Sequence, residues 1–184
     1  LDISRGNLVT SAMRYEVPSM DLPRGFNVEN ASAIKEATQM PVIAVGRIND
    51  PDQAEEIIAS GKADMVVIGR AQLADAQFCE KAKEGRTEDI VRCIGCNQGC
   101  YEMTLYGKPI TCMRNPSVGR EREFEALKKT QNPKNIVVVG GGVGGMEAAV
   151  TAVKLGHNVT LAEASDHLGG QFLIAGRAPR KEET

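Results

Sequence analysis

Hydrophobic residues in the first ninety positions alternate between short continuous runs and patterns with helical spacing. The runs at 41–46 and 64–69 are apolar, short and bounded by Pro, Asp or Gly, which is typical of buried strands. Apolar residues spaced by three and four predict a helix over 28–38. Pro51 at a first helical position, with Asp50 as its N-cap, predicts the start of a second helix.

The rest of this region completes a repeating order of strand, loop and helix. Residues 1–4 indicate the end of a strand, 5–27 a long loop with several Gly and Pro, and 75–84 a third helix. This order predicts a parallel α/β unit, and it leaves open whether the sheet is open or closed into a barrel. Cys79 falls within the third helix, where a buried structural thiol is the favoured interpretation.

The last fifty residues carry a second strand–helix–strand order. Strands are predicted over 134–139 and 158–162, the first of them buried, with a helix over 146–155 between them. The charged stretch 121–130 that precedes them is interpreted as a solvated linker or surface helix. Two α/β regions are therefore expected, separated by residues of a different composition.

A glycine motif joins the first strand of the second region to its helix. Gly140, Gly142 and Gly145 form the pattern Gly-x-Gly-x-x-Gly, and Glu163 lies eighteen positions beyond the last of them. Between a strand and a helix, this pattern predicts a dinucleotide site, because glycines let the backbone reach a pyrophosphate and the carboxylate accepts from ribose hydroxyls. The loop 168–171 that follows suits a bound flavin dinucleotide. A glycine-rich turn without a ligand is the alternative.

Composition and charge exclude several classes of function. The 184 residues are 42% hydrophobic and 25% charged, as in ordinary globular proteins, and a net charge of −2 makes nucleic acid a poor partner. No apolar run approaches the ~18 residues of a membrane span. Clustered cysteines without a secretory signal favour the cytoplasm. Because the chain starts at Leu1 and ends at Thr184 without obvious closure, we expect a piece of a larger protein.

Four of the five cysteines lie within twenty residues of one another. Cys93, Cys96, Cys100 and Cys112 follow the pattern Cys-x2-Cys-x3-Cys-x11-Cys. Thiolates are soft ligands, and such a run can wrap several corners of one metal centre, so an iron–sulfur cluster is the favoured prediction. A structural zinc site is an alternative, although it usually pairs two tight Cys-x2–4-Cys knuckles. Disulfides are a further alternative.

Two matching pairs of residues follow consecutive strands of the first region. Gly46-Arg47 and Gly69-Arg70 each place a glycine, which allows close approach of an anion, beside a guanidinium that can cap its charge. Barrel enzymes often bind phosphate in the loops after their last two strands. The pairs therefore predict a phosphate site, with ordinary strand-exit glycines and solvated arginines as the alternative.

Together, these motifs resemble one family of proteins. The segments 46–51 and 93–100 and the glycine motif are similar to those of the iron–sulfur flavoenzymes related to 2,4-dienoyl-CoA reductase, 2-enoate reductase and trimethylamine dehydrogenase, which are NADH:flavin oxidoreductases of the Old Yellow Enzyme type. The resemblance implies an α/β fold in three parts. These are the C-terminal part of an FMN-binding (β/α)8 TIM barrel over 1–90, a [4Fe–4S] segment and linker over 91–132, and the opening βαβ of a Rossmann-like FAD/NAD(P)-binding domain over 133–184.

The resemblance also assigns roles to particular residues. The cluster ligands would be Cys93, Cys96, Cys100 and Cys112, and the FMN phosphate would be held by Gly46, Arg47, Gly69 and Arg70. The FAD site would be lined by Gly140, Gly142, Val143, Gly145, Glu163 and Gln171. The proton-donating Tyr and His of the family match no motif here, so no catalytic residue is predicted.

The implied activity passes electrons from NAD(P)H through FAD and the cluster to FMN, and on to an activated C=C bond of an enoyl thioester or enoate. An amine dehydrogenase of the same family is an alternative, since the residues that would contact substrate are not recognisable. A non-catalytic zinc-binding module is a second alternative. A third is an inert truncation, because barrel strands without their ring leave open edges and an exposed apolar face. The fragment alone is expected to be inactive.

Overall fold

The computed structural model describes residues 1–6, 13–179 and 181, and within it the chain forms two compact units, Leu1–Gly119 and Arg120–Thr184. Residues 7–12 of the predicted loop lie outside the described residues, as do 180 and 182–184 of the predicted third part. None of the helices in the described ranges has the length and apolarity that crossing a bilayer requires.

The first unit contains a parallel sheet of three strands, in the order β1 (Asp2–Ile3), β2 (Ile43–Val45) and β3 (Met65–Val67). In the register of the sheet, Ile43 lies opposite both Asp2 and Met65. The helices between and after the strands are α1 (Met13–Glu16), α2 (Val28–Thr38), α3 (Pro51–Ala59), α4 (Gly69–Ala74), α5 (Phe78–Lys83) and α6 (Tyr101–Leu105). The predicted parallel α/β order is confirmed.

Local sequence signals fix the two longest of these helices. Helix α2 has the predicted bounds. Helix α3 begins at Pro51, and the Asp50 carboxylate accepts from the Asp52 N–H at 3.0 Å, which confirms the predicted N-cap. Gly61 lies two residues beyond the end of the helix and has a φ of +77°. This left-handed conformation, which glycine adopts without strain, prevents the helix from continuing.

The helix predicted over 75–84 is present as α5, which begins three residues later than predicted, while the separate helix α4 before Asp75 was not predicted. Asp75 is extended, and its carboxylate accepts from the Gln77 N–H, the Lys81 ammonium and the Val91 N–H. These hydrogen bonds outweigh the helical tendency of the stretch. The interpretation of Cys79 as a buried thiol is wrong, because Cys79 lies exposed near the start of α5.

The core of the first unit lies between the sheet and helices α2 and α3. Val42 and Ala44 of the second strand region are fully buried, as is Ala31 of α2, and Ile57 of α3 is nearly so. A smaller cluster forms around Phe78, whose burial contributes about 1.5–3 kcal/mol. The predicted burial of 41–46 is thereby confirmed at its central positions.

The second unit is built on a parallel pair of strands, β4 (Asn135–Val139) and β5 (Asn158–Ala162). The remaining elements are α7 (Glu121–Glu125), α8 (Val143–Lys154), which connects the two strands, and α9 (Gln171–Ala175). Helix α8 begins three residues earlier than predicted, directly after Gly142 as its N-cap. Two glycines of the predicted motif therefore lie before the helix, and the third lies within it.

Two strands that were expected to be buried are partly exposed. Met65 in β3 is 51% exposed, and Val139 in β4 is 85% exposed. Both strands alternate between more and less accessible positions. The prediction assumed that both faces of a parallel sheet are covered, whereas the described residues leave one side of each of these strands uncovered.

Candidate functional site

The two predicted Gly-Arg pairs line one cavity at the carboxyl ends of β2 and β3. This strand-exit cavity has a volume of about 230 Å³, and its lining includes Gly46, Arg47, Asn49, Gly69, Arg70, Cys93 and Gly95. Because neighbouring parallel strands end at the same edge of a sheet, residues that follow them converge there. The arrangement can receive an anionic group beside two guanidinium side chains.

Gly46 and Arg47, at this edge of the sheet, both have positive φ angles. Gly46 has a φ of +131°, and a Cβ there would lie 2.6 Å from the Phe26 ring, so a larger residue does not fit. Arg47 has a φ of +53° and is 8% exposed. Its guanidinium donates to the carbonyl oxygens of Leu22 and, at 3.5 Å, Met20. Arg47 therefore fixes the preceding loop as well as lining the cavity.

The cysteine loop, residues 93–112, is attached to the rest of the first unit by two asparagine side chains. The Asn49 amide donates to the Cys93 carbonyl oxygen across 44 residues of sequence. The Asn97 amide donates to the Val17 carbonyl oxygen at 2.8 Å. Neither asparagine was singled out from the sequence; Asn97 lies between two predicted ligands, and that position was the only signal available.

The four predicted ligands line a second cavity, the cysteine cavity, together with Arg70, Asn97, Gly99, Thr111 and Arg114. All four thiols are free and partly buried. Among the described residues, no group of three or more His, Cys, Asp or Glu side chains is arranged to hold a metal ion. Four unpaired thiols around one cavity nevertheless match the donor set of an iron–sulfur cluster.

A close backbone contact joins the first half of the cysteine loop to its C-terminal end. The Thr111 N–H donates to the Gly99 carbonyl oxygen at 2.6 Å, and a Cβ on Gly99 would lie 2.6 Å from the Thr111 carbonyl oxygen. Cys100 and Cys112 follow these two residues directly. The absence of a side chain at Gly99 thus allows the third and fourth thiols to approach the same cavity.

Burial and nearby charge act in opposite directions on the thiols. Burial raises the pKa of the Cys93 thiol, while the Gly95 N–H, 3.4 Å from its sulfur, and the charge of Arg70 oppose that rise. Burial lowers the pKa of Arg70, and the thiolates of Cys93 and Cys100 oppose that change. Burial is the larger effect, so the pKa of Cys93 stays above its ordinary value, and the cation and hydrogen-bond donor beside the sulfur limit that rise.

The glycine turn, residues 140–145, forms the second site, in the second unit. Gly140 has a φ of +102°, and a Cβ on Gly145 would lie 1.9 Å from the Gly140 carbonyl oxygen. The turn and the first turn of α8 therefore pack as closely as the predicted motif requires. The free N–H groups at the start of this twelve-residue helix can receive a pyrophosphate.

Glu163, the predicted ribose acceptor, is hydrogen bonded to the turn itself. One carboxylate oxygen accepts from the Gly141 N–H at 2.5 Å, and the other accepts from the N–H and hydroxyl of Ser165. The hydrogen bonds from Ser165 and Gly141 lower the pKa of Glu163 to about 2. Glu163 therefore holds the shape of the glycine turn, a role that the sequence motif did not indicate.

Two further predicted residues lie at helix starts beside the turn. Val143 is the first residue of α8, and Gln171 is the first residue of α9. The Gly169 N–H donates to the Gly141 carbonyl oxygen at 2.9 Å, so the loop before α9 is joined to the turn. The structure thus assembles all six predicted dinucleotide residues from one local βαβ region and its following loop.

Two family models match the chain. The NADH:flavin oxidoreductase / NADH oxidase family matches residues 2–89, and the pyridine nucleotide-disulphide oxidoreductase family matches residues 56–175. The second match covers well over half of the chain. The expected relationship to NADH:flavin oxidoreductases is confirmed by both.

Known proteins agree with these matches. The chain is 46% identical to NADH oxidase of Thermoanaerobacter brockii, covering 86% of this chain and 24% of that protein. It is 37% identical to cinnamate reductase of Clostridium sporogenes, covering 90% and 25%. The structure of 6-hydroxypseudooxynicotine amine oxidase from Pseudomonas geniculata N1 superposes with a TM-score of 0.87 at 31% identity, covering 98% and 27%.

The chain therefore spans about a quarter of the length of the relatives that it matches. The similarity to these relatives nonetheless covers 86–98% of this chain, including the residues that match each of the two family models. The chain belongs to the NADH:flavin oxidoreductases that combine a flavin oxidoreductase region with a pyridine nucleotide-disulphide oxidoreductase region.

Proposed function

We propose that the chain is part of an NAD(P)H-dependent flavin oxidoreductase that passes electrons from NAD(P)H through FAD, a [4Fe–4S] cluster and FMN to an activated C=C bond. One observation carries the proposal: the strand-exit cavity and the cysteine cavity adjoin, with Arg70 and Cys93 lining both. A cavity lined by two arginines thus borders four free thiols. Such an arrangement suits two redox groups that exchange electrons.

The first ninety residues are proposed to be the C-terminal part of a (β/α)8 barrel. Three parallel strands with intervening helices support this assignment, as does the flavin oxidoreductase model over residues 2–89. In this proposal Gly46 and Gly69 admit the FMN phosphate close to the backbone, and Arg70 caps its charge. Arg47 lines the same cavity while its guanidinium holds the preceding loop.

The segment 91–132 is proposed to hold the cluster and the linker that follows it. Cys93, Cys96, Cys100 and Cys112 would each bind one iron, and the cluster would supply one-electron transfer between two flavins. A zinc ion needs its thiolates within 2.3 Å of one point, whereas a cubane binds its thiolates at four separate corners. The segment has a single Cys-x2-Cys knuckle, which favours a cluster because structural zinc sites usually pair two such knuckles.

Residues 133–184 are proposed to open a Rossmann-like FAD-binding domain. The N–H groups at the start of α8 would donate to the pyrophosphate, and Val143, the first residue of the helix, would lie beside it. Gly140, Gly142 and Gly145 keep side chains out of the way of the ligand. The Glu163 carboxylate accepts one hydrogen bond from Gly141 and would use another of its lone pairs to accept from a ribose hydroxyl. Gln171 would border the flavin side of the site.

The substrate class is proposed to be an α,β-unsaturated acid or thioester. The support is the 37% identity to a protein named as a cinnamate reductase, since cinnamate is such an acid. The structural similarity to an amine oxidase favours a second candidate, an amine dehydrogenase in which electrons leave the substrate. No residue of this chain is proposed to donate the proton.

The proposal is tested by purifying the chain without oxygen and measuring iron, acid-labile sulfide and zinc. About four irons and four sulfides per chain are expected, whereas one zinc per chain contradicts the cluster. For the whole protein, assays with NADH and cinnamate, and with a secondary amine and an artificial electron acceptor, distinguish the two substrate classes. NADH-dependent loss of the cinnamate double bond supports the leading proposal, and amine oxidation alone supports the second.

A further inference from the structure

Arg70 occupies the wall between the two cavities of the first unit. It lies in the first turn of α4, directly after β3, and its side chain lines both the strand-exit cavity and the cysteine cavity. Its guanidinium donates to the Asn97 Oδ1 at 2.5 Å, and the Asn97 amide in turn donates to the Val17 carbonyl oxygen. Arg70 is therefore held in place from inside the cysteine loop.

The other arginines of this region are placed differently. Arg47 lines the strand-exit cavity and donates to backbone carbonyls of the preceding loop. Arg114 lines the cysteine cavity, is absent from the lining of the strand-exit cavity and is exposed, so water screens its charge. Arg70 alone, among the arginines described, lines both cavities, and it is half-buried.

We propose that Arg70 couples the two cavities, so that a phosphate group in the strand-exit cavity and an added electron on the cluster compete for the same positive charge. The inference rests on the proposed function, because it requires the cluster. Reduction adds one negative charge near Arg70, and the guanidinium stabilises the reduced state. A phosphate beside Arg70 offsets that charge and makes the same reduction less favourable.

The coupling must be reciprocal. If phosphate lowers the reduction potential of the cluster, reduction of the cluster must weaken phosphate binding by the same factor. Couplings between protein sites are typically about 5- to 150-fold. A tenfold coupling corresponds to a shift of about 59 mV for a one-electron couple. In a flavin enzyme, this coupling would make the potential of the cluster depend on whether the phosphate of the cofactor is bound beside Arg70.

The test begins with the anaerobically reconstituted chain, whose iron and sulfide contents are measured first. The cluster is then titrated with dithionite in chloride and in inorganic phosphate at equal ionic strength, with the reduced cluster followed by electron paramagnetic resonance. We expect phosphate to lower the midpoint potential by about 59 mV, equivalent to a tenfold weaker binding of phosphate to the reduced chain. Calorimetry of phosphate binding to the oxidised and reduced chain measures the same factor independently.

Three variants separate the role of Arg70 from a general effect of charge. Arg70→Gln is expected to lower the potential in chloride and to abolish the phosphate dependence. Arg70→Lys keeps a positive charge and is expected to retain part of the phosphate dependence of the potential. This variant still tests the proposal if Arg70→Gln fails to bind iron. Arg114→Gln, the matched control, removes a cation from the cysteine cavity alone and is expected to keep the full dependence.

The outcomes distinguish this inference from the function on which it rests. A chain that takes up no iron overturns both. A chain with about four irons whose potential is unchanged by phosphate overturns the coupling and leaves the cluster assignment standing. Equal phosphate dependence in wild type and Arg70→Gln shows that phosphate acts elsewhere, which also overturns the assignment to Arg70.

Discussion

The cysteine loop and the glycine turn are held in their shapes by different means. The cysteine loop belongs to a unit with two buried clusters, and strand-exit side chains far away in sequence, Asn49 and Arg70, hydrogen bond to it. The glycine turn belongs to a unit in which Gly141 is the only buried residue among those described. Its shape depends on close backbone packing and on one carboxylate, Glu163.

This difference predicts how each site responds to damage. A site attached to a core loses its geometry when the core or its attachments are weakened, so distant substitutions should affect it. A site made by a local βαβ region should respond only to changes in the turn itself. The predictions below test that contrast, beginning with the largest expected effect.

Asp75→Ala is expected to destabilise the first unit by about 3–5 kcal/mol, because it removes the buried charge partner of Lys81 and the acceptor of the Val91 N–H. Burial alone would raise the pKa of Asp75, but the hydrogen bonds from Lys81, Val91 and Gln77 outweigh it and hold that pKa below the ordinary value. Chemical denaturation measures the free energy of unfolding, and iron content measures the effect on the cysteine loop.

The control for this variant is Asp89→Ala, which removes an exposed partner of Arg86 and should cost far less stability, because water screens exposed ion pairs. Asp75 also accepts from the Val91 N–H, two residues before Cys93, which is why the variant should lower iron content as well. Equal losses in the two variants would contradict the claim that the core supports the cysteine loop.

Gly145→Ala is expected to cost about 1–3 kcal/mol or more, because its Cβ would meet the Gly140 carbonyl oxygen at 1.9 Å. Since the clash is within the turn, FAD binding should weaken at least tenfold while the first unit keeps its stability. Isothermal titration with FAD and denaturation of the first unit provide the two measurements.

Gly144→Ala is the matched control, since a Cβ at this neighbouring position meets nothing within 4 Å. Alanine should stabilise helix α8 there by up to about 1 kcal/mol. A loss of FAD affinity in Gly144→Ala equal to that in Gly145→Ala would show that the close packing at Gly145 is not what matters.

Asn49→Ala is expected to destabilise the first unit by about 1 kcal/mol and to speed the loss of iron, because it removes the hydrogen bond to the Cys93 carbonyl oxygen. Asn30→Ala, the control, removes an amide hydrogen bond of an exposed side chain, to Asn27, away from the cysteine loop. Rates of iron release to a chelator compare the two. If iron is released faster by a similar factor in both variants, Asn49 contributes only to general stability and does not specifically hold the cysteine loop.

The smallest expected effect concerns Glu163 and pH. Its pKa of about 2 lies below the ordinary value of 4.5, so its stabilisation of the glycine turn is complete above pH 4.5 and is lost as the pH falls from 4.5 toward 2. The protection of the Gly141 N–H against hydrogen exchange should follow this course. Glu163→Gln should remove the pH dependence, and Glu147→Gln, on an exposed face of α8, should not.

Much of the fold follows from local signals in the sequence. The bounds of α2, the N-cap of α3 and the parallel order of the strands were all predictable, because periodicity and capping act over a few residues. The break at Asp75 was not, since it depends on Val91, sixteen residues later. The exposure of Val139 was also missed, because a continuous apolar run does not reveal which faces are covered.

Some features of the candidate sites could likewise be predicted from local sequence, and others could not. Spacing alone predicted that the four cysteines line one cavity and that the glycines form one tight turn, since a cluster or a pyrophosphate requires those residue types. Asn49 and Asn97 could not, because their partners lie 44 and 80 residues away. The hydrogen bond from Gly141 to Glu163 was hidden for a different reason: the motif suggests a ligand for the carboxylate, and the structure supplies a backbone N–H as well.

The most direct test of the account is the iron content of single Cys→Ser variants after anaerobic reconstitution. We predict about four irons per chain in the wild type and in Cys79→Ser, whose thiol lies outside the cysteine cavity, and a marked loss in Cys93→Ser, Cys96→Ser, Cys100→Ser and Cys112→Ser. Iron content that is equal in all five variants, or zinc in place of iron in the wild type, would contradict a cluster held by these four thiols.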